Sequence, residues 1–285
     1  MRAILLSLPI VLAAVLACGC PRSGYPAPEP TPEVAEVLAR LQTIRDSARS
    51  YRSDSLMEYW VKKERVKADV PVIGKRGARV RFLALSPAGG STLADLACDG
   101  TNFAMVDYQN NCYLDGPCTK DSIKHLLRIS LEPDDFLLMA MGTTPVIPDP
   151  DGTVKWDSKN GRWVVELVSA DNQWTQTILL NGRSAHRDVV QSTVRDARGN
   201  IEWKLTNKDF KTYKGADGTS FRLPGRSRLE QPKEKGDLTV RWFEERNEMK
   251  REVNLELPHE SFVLEPPAGL ARCGQQPPRN SRKKP

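Results

Sequence analysis

Histidine is scarce in this sequence, and the scarcity limits the chemistry that the chain can support. Its 285 residues include three histidines, which lie far apart at His125, His186 and His259. None of them belongs to a metalloprotease helix or a nucleophile motif, and no glycine-rich phosphate loop is present. The adjacent Asp134 and Asp135 are typical of the first turn of a helix rather than of an acid–base pair. The sequence therefore predicts a binding protein or scaffold and not an enzyme, with no metal and no cofactor.

Long apolar runs are also missing after the first twenty residues. A membrane-spanning helix needs about 20 consecutive apolar residues, and no later segment approaches that length. Charged residues make up 27% of the chain and hydrophobic residues 39%, as in ordinary soluble globular proteins. We therefore expect a soluble body, with part of the net charge of +6 concentrated in a basic C-terminal tail.

The first twenty residues, MRAILLSLPIVLAAVLACGC, are typical of an export signal. Arg2 is followed by an apolar run from Ala3 to Ala17, which is too short to remain in a bilayer as a spanning helix. Because the run ends at a cysteine, the segment resembles the lipobox of bacterial lipoproteins, in which that cysteine receives diacylglycerol. The resemblance implies a covalent acyl anchor, with chains such as palmitate, and a membrane-tethered protein.

Two cysteines compete for the anchor. Cys18 has the better aliphatic context, since Val15 and Leu16 lie ahead of it, and it is the preferred site. Cys20 is the alternative, because Gly19 before it suits cleavage and its use leaves an even number of other cysteines. Neither cysteine is followed by aspartate, which by analogy with lipoprotein sorting implies the periplasmic face of the outer membrane. Export also excludes nucleic acid as a partner.

The chain after the signal at 1–17 divides into three parts. Residues 18–32 are rich in proline and predict an extended tether between membrane and domain. Residues 33–272 are the candidate folded domain, which we expect to be monomeric. Residues 273–285 are basic, contain prolines and have no core-forming side chains, so this tail is predicted to be disordered.

Three helices are expected. Apolar residues recur at helical spacing over 33–49, where Thr31 is the expected N-cap. Thr119 is expected to cap a second helix over 120–128. A third helix over 133–142 begins at a proline and is apolar nearly all round, so we expect it to be buried or to face a hydrophobic hollow.

The remainder of the domain has the pattern of many short strands. In ARVRFLA (78–84), for example, arginines alternate with apolar residues, which predicts a strand with one wet face. Turn signals such as Asp99-Gly100 separate these runs. So many antiparallel strands cannot protect their edges as a flat sheet. The predicted fold class is mainly β with a few helices: a strongly curved antiparallel sheet, an unclosed half-barrel, with helices covering its mouth.

Four further cysteines, Cys98, Cys112, Cys118 and Cys273, predict two disulfides in an oxidising compartment. A turn-like loop between Cys112 and Cys118 favours pairing these two and leaves Cys98 with Cys273, although spacing alone leaves the connectivity open. The spacing of Cys112, Cys118 and His125 matches no tight zinc pattern, which argues against a metal site.

The order of elements resembles the periplasmic lipoprotein-carrier and outer-membrane lipoprotein-receptor (Lol-type) superfamily. The resemblance covers most of residues 33–270 and lies in the first helix and four segments. These are RFLALSP (81–87), DGTNFAMVDYQNNCYLDGP (99–117), DSIKHLLRISLEPDDFLLMAMGTTP (121–145) and LPHESFVLEPPAGL (257–270). It implies a curved sheet whose hydrophobic cavity holds acyl chains.

The resemblance also implies which residues line that cavity, with plain core packing as the alternative role. They are Val80, Phe82, Phe103, Met105, Leu137 and Leu138. The implied function is that of an outer-membrane lipoprotein which binds lipid, or the acyl chains of lipoproteins, in lipoprotein localisation. A lipid anchor distinguishes this chain from a soluble carrier. The alternative is a structural or regulatory envelope lipoprotein that binds a protein or polymer.

Mass spectrometry of protein extracted natively from membranes tests the anchor. We expect a diacylglyceryl-type mass on the mature N-terminal cysteine, with Cys18 preferred over Cys20, together with any lipid that copurifies. An unmodified N-terminus on the mature chain would contradict the resemblance to lipoproteins.

Overall fold

The computed structural model describes residues 24–61, 64–87 and 90–274. Cys18, Cys20 and the basic tail from residue 275 onward lie outside the described residues. The α-helices are α1 (Val34–Ser47), α2 (Lys120–Leu127) and α3 (Pro133–Ala140). Single 3-10 turns cover Pro232–Glu234 and His259–Phe262. No helix in the described part is long and apolar enough to cross a bilayer.

The strands account for most of the regular structure. In chain order they are β1 (Ser50–Ser53), β2 (Ser55–Val61), β3 (Glu64–Asp69), β4 (Val72–Lys75), β5 (Arg79–Leu85), β6 (Thr92–Asp99), β7 (Asn102–Asp107), β8 (Cys112–Pro117), β9 (Pro150–Asp157), β10 (Arg162–Ser169), β11 (Trp174–Asn181), β12 (Val189–Asp196), β13 (Ile201–Lys208), β14 (Lys211–Lys214), β15 (Ser220–Leu223), β16 (Arg226–Gln231), β17 (Gly236–Trp242), β18 (Glu245–Arg246), β19 (Met249–Lys250), β20 (Glu252–Val253) and β21 (Ala271–Arg272).

One large curved sheet contains most of these strands. It runs from β9 through β10, β11, β12, β13, β16, β17, β2 and β3 to β5, β6, β7, β8 and β21. The ladders are antiparallel apart from the short parallel pairing of β21 with β8. No ladder between described strands joins the β9 edge to the β21 edge, so the sheet is a half-barrel that does not close. The predicted fold class is confirmed.

Alternation along the strands gives the sheet an apolar inner face. In β5, Val80, Phe82 and Ala84 are buried while the residues between them are partly exposed. This is the pattern expected from the sequence, because successive side chains of a strand point to opposite faces.

The helices cover the inner face in two unequal parts. Helices α2 and α3 pack on one core, formed with β5–β7 and with β2, β16 and β17. Helix α1 packs on a second, smaller core formed by β10, β11 and β12. Trp203 on β13 contacts both cores.

The two short helices begin where the sequence predicts. Thr119 is the N-cap of α2, its hydroxyl accepts a hydrogen bond from the Asp121 amide, and Ser122 completes a capping box. Helix α3 begins at Pro133, and its residues from Phe136 to Ala140 are all buried.

The expected start of α1 was wrong. The helix begins at Val34 with Glu33 as N-cap, and Thr31 does not cap it. The Glu33 carbonyl accepts the first helical hydrogen bond, from the Val37 amide at 3.1 Å, while the chain before it is extended. The first turn is therefore set by this backbone bond and not by a threonine side chain.

The C-terminal end of α3 is held by a buried arginine. Arg251 donates hydrogen bonds to the carbonyl oxygens of Ala140, at 3.1 Å, and Pro224, at 2.7 Å. The rings of Tyr51, Tyr213 and Trp242 surround its guanidinium at 5.0 to 5.7 Å. Because the last carbonyls of a helix lack partners within it, this cation both satisfies one of them and complements the helix dipole.

The four cysteines form two disulfides, but the pairing differs from the one that their spacing favoured. Cys98 bonds to Cys118 and Cys112 bonds to Cys273, with Cα–Cα distances of 5.7 Å and 4.9 Å. Residues 112–117 form β8 and not a turn. At about 3.3 Å per residue the strand separates Cys112 from Cys118 by roughly 20 Å, far beyond the reach of a disulfide.

Proteolysis of unreduced protein is expected to yield one peptide pair containing Cys98 with Cys118 and another containing Cys112 with Cys273. We expect the double substitution Cys112→Ser with Cys273→Ser to lower the free energy of unfolding by about 2–4 kcal/mol, because it releases a long loop. A peptide that joins Cys112 to Cys118 would contradict the strand assignment of β8.

Candidate functional site

A cavity of about 340 Å³ lies beside α1, which we call the α1 cavity. Its other walls are the loop between β11 and β12, the β14–β15 hairpin and the residues that follow α3. The apolar part of its lining includes Val37, Leu41, Ile44, Met141, Leu180, Val189, Phe210 and Phe221. A volume of this size is at the lower end of the range for small-molecule sites.

The cavity exists because α1 covers the sheet incompletely. Val37 and Leu41 are 2% and 5% exposed and pack on the core of β10, β11 and β12. Ile44, one turn further along the same side of the helix, is only partly buried and borders the cavity instead. The apolar stripe of α1 therefore extends beyond the surface that it packs against.

Arginines border the cavity. Arg222 pairs with Asp188 through two contacts of 3.2 and 2.9 Å, and Arg187 pairs with Glu36 at 2.8 Å. Arg40 on α1 donates to the backbone carbonyl of His186. The border thus carries one more cation than anion among these side chains. An apolar cavity with such a border suits a ligand with a hydrocarbon body and a polar or anionic head.

Asp135 lies in a small apolar crevice next to the cores. The crevice, of about 30 Å³, is lined by Asp135 together with Leu131, Met139, Pro145, Trp203, Leu205 and Leu229. Burial there, reinforced by the neighbouring charge of Glu132, raises the pKa of the Asp135 carboxyl to about 6. Asp134 has a different role, because its carboxylate accepts from the Ala78 amide at 3.0 Å and so holds the β4–β5 turn.

A second cavity, of about 460 Å³, lies on the outer face of the sheet. It is bounded by β6–β8 and by residues 257–273. We call these residues the strap and this cavity the strap cavity. Phe262 of the strap is buried, and the Cys112–Cys273 disulfide fixes its end to β8. Val263 is 38% exposed at this cavity.

The structure places the residues that were implied to line a lipid cavity inside the packed interior. All six are buried, and Val80, Phe82, Phe103, Met105 and Leu137 belong to the larger core. The rings of Phe82 and Phe136 lie 4.8 Å apart, so a ligand between them would have to displace packed side chains. Phe103 also borders the strap cavity. A role of these six residues in lipid binding stays a prediction.

The residues of the α1 cavity could not be identified from the sequence. Their only signal was the apolar stripe of α1, and a stripe does not show which of its members lack a packing partner. Among the described residues, no group of three His, Cys, Asp or Glu side chains is placed to hold a metal ion. His125 stacks on Phe103 at 5.4 Å, and its burial lowers the pKa of the imidazole.

Comparisons with known proteins show a likeness of fold. No family model matches the chain, and no curated protein matches it. A DUF1329 family protein from Desulfovibrio piger is 12% identical, with 79% of this chain and 93% of that chain covered and a TM-score of 0.48. A LolA superfamily protein from Nitrosomonas europaea is 11% identical, with 79% of this chain and 97% of that chain covered and a TM-score of 0.49. These likenesses concern the fold alone.

The raised pKa of Asp135 predicts a pH-dependent stability. Because the folded protein holds this proton more tightly than the unfolded chain does, the free energy of unfolding should fall as the pH rises from about 4 to above 6. Asp135→Asn should remove this fall and raise the free energy of unfolding at pH 8 by roughly 1–3 kcal/mol. Urea denaturation at several pH values measures both effects.

Asp134→Asn is the matched control, since it changes the neighbouring carboxyl that accepts backbone hydrogen bonds. It should leave stability unchanged or lower it. Equal stabilisation by the two substitutions at pH 8 would contradict the burial of the Asp135 carboxyl.

Proposed function

We propose that the protein is a lipid-anchored envelope protein which binds an acyl chain of a lipid or lipoprotein in the α1 cavity. Its place is the periplasmic face of the outer membrane, where it acts in lipoprotein localisation as a monomer and catalyses no reaction. The observation that carries this proposal is an apolar cavity with a cationic border beside an incompletely packed amphipathic helix.

The affinity of such a site follows from its size. Transfer of hydrocarbon from water into an apolar cavity stabilises the complex by about 0.8 kcal/mol per methylene. Burial of about six methylenes would then give ~5 kcal/mol, or a dissociation constant in the ~0.1–1 mM range, before ordering costs. A site of this strength exchanges its ligand readily, which suits transfer better than storage.

The polar contacts that hold α1 on its cavity side are weak enough for an acyl chain to enter. On its cavity side the helix is tied to the β11–β12 loop by the Glu36–Arg187 ion pair and by the hydrogen bond from Arg40 to the His186 carbonyl. Exposed contacts of this kind contribute about 1 kcal/mol or less each. An acyl chain that enters on this side therefore has to displace only these exposed contacts, while Val37 and Leu41 stay packed on the smaller core.

A second candidate function uses the strap cavity. Its border includes Val263 and the Pro266-Pro267 pair, and a partly apolar surface with prolines favours a protein partner. In this alternative the protein is a structural or regulatory envelope lipoprotein, and acyl binding plays no part. Partner capture that persists when the α1 cavity is blocked would support it.

Ile44→Lys tests the α1 cavity. The substitution puts a charge in the apolar lining and removes a side chain whose burial is worth about 1.5–3 kcal/mol, so palmitate should bind at least about tenfold more weakly. Isothermal titration calorimetry of the full chain measures the affinity. Ile44→Trp, which fills the cavity without adding charge, should weaken binding as well.

Ala35→Lys is the control for these variants. It adds the same charge on an exposed position of α1 that borders no described cavity, and it should leave palmitate affinity unchanged. The proposal would be contradicted if folded Ile44→Lys and Ile44→Trp proteins bound palmitate as tightly as the unsubstituted chain.

A further inference from the structure

The start of the described chain is bound to one end of the sheet. The Tyr25 amide donates to the carbonyl oxygen of Ser158 at 2.7 Å, and the Trp156 indole donates to the Tyr25 carbonyl at 2.8 Å. Arg183 lies over the Tyr25 ring, 5.1 Å from its centre, and also contacts the phenol oxygen. The chain therefore leaves the domain at the turn between β9 and β10.

This exit point limits how far that end of the sheet can lie from an anchored cysteine. Gly24 follows Cys18 by six positions and Cys20 by four. A fully extended chain spans at most about 3.6 Å per residue, so the distance is at most ~22 Å from Cys18 and ~14 Å from Cys20. An anchor at either cysteine would hold the β9–β10 turn close to the membrane surface.

The strand register defines what else lies at this end. Arg162 at the start of β10 is opposite Asn181 at the end of β11, so the β11–β12 loop is at the same end as the β9–β10 turn. The side-chain amide of Asn207 donates a hydrogen bond to the Val189 carbonyl, so the end of β13 lies at this end of the sheet as well. The α1 cavity is lined by residues of the β11–β12 loop and by Phe210, so it also lies at this end.

Three cationic side chains on neighbouring strands lie next to one another at this end, on the outer face of the sheet. Lys208 of β13 is opposite Arg226 of β16, which is opposite Arg241 of β17. Like charges directly opposite each other destabilise a sheet. Among the described residues none of these three side chains forms an ion pair, although the next residue, Asp209, is acidic. By contrast, Arg228 two positions further along β16 pairs with Asp237 at 2.7 Å.

We propose that this end of the half-barrel is a docking surface for an anionic lipid bilayer. It comprises the β9–β10 turn, the β11–β12 loop and the row Lys208–Arg226–Arg241. The short reach from the anchor brings the bilayer to this end, and the unpaired row supplies charges that anionic headgroups neutralise. The inference rests on the anchor of the proposed function, and it places the α1 cavity near the membrane surface from which acyl chains come.

Photo-cross-linking from matched positions tests this orientation. The probe p-benzoylphenylalanine replaces either Ala185, in the β11–β12 loop, or Ala197, in the turn after β12, in the full chain. Both alanines are exposed and lie at opposite ends of β12, and each has an arginine within two residues. After reconstitution into phosphatidylglycerol vesicles, the Ala185 position should give at least about fivefold more lipid adduct than the Ala197 position.

Charge dependence is the second arm of the experiment. The Ala185 adduct should decline in phosphatidylcholine vesicles and at high salt, because both weaken surface attraction. Arg226→Glu in the same probe background should lower the adduct in phosphatidylglycerol by about fivefold or more. The substituted glutamate lies between Lys208 and Arg241, so it should not destabilise the sheet. Arg198→Glu, the same change at the other end, should have no effect.

The outcomes separate the orientation from the anchor. Intact mass of the same samples reports acylation, and an unacylated chain would overturn the anchor and this proposal together. An acylated chain with equal adducts from both positions, or with more from Ala197, would overturn the orientation alone. Adducts between two copies of the chain at Ala185 would assign the surface to a dimer instead. Adducts insensitive to lipid charge and to Arg226→Glu would overturn the role of the cationic row.

Discussion

The structure depends on one constraint: an apolar sheet face that curves without closing must be kept from water by other parts of the chain. No ladder within the described part of the chain joins the β9 edge to the β21 edge, so these strands alone do not enclose the interior. Helices α2 and α3 cover the part of the inner face that carries the larger core, and they fill it with large side chains such as Phe136 and Met139. Helix α1 covers the other part with smaller side chains, and the α1 cavity is the space that they leave unfilled.

The helices over the two parts of the inner face also differ in how firmly they are held. Disulfide Cys98–Cys118 fixes the chain just before α2, while Asp134 and Arg251 hold the two ends of α3 to the turn after β4 and to buried aromatic rings. Helix α1 is held at its C-terminal end, where the buried Asn254 side chain donates to the Ser47 carbonyl at 2.8 Å, but on its cavity side it relies on the small core under Val37 and Leu41 and on exposed polar contacts. The cavity side of α1 is therefore held less firmly than α2 and α3, which suits the reversible uptake of a hydrocarbon chain that we propose.

Sequence patterns predicted features that depend on local periodicity. The alternation of β5, the Thr119 cap and the buried α3 each follow from a few neighbouring residues, and each is present in the structure. The pairing of the cysteines was wrong because it depended on whether residues 112–117 turn or extend, which the neighbouring strands decide. The α1 cavity could not be predicted, because Leu41 and Ile44 are one turn apart in the same apolar stripe, and only strands distant in sequence decide that Leu41 packs on the smaller core while Ile44 does not.

The location of a bound acyl chain is the most direct test of this account. Crystals of the full chain with a terminally brominated fatty acid would show the bromine by anomalous scattering. We expect that signal between α1 and the β14–β15 hairpin, near Ile44 and Phe221. A bromine inside the larger core beside Phe82 and Met105, or no bound chain at millimolar ligand, would contradict the claim that incomplete coverage by α1 creates the binding site.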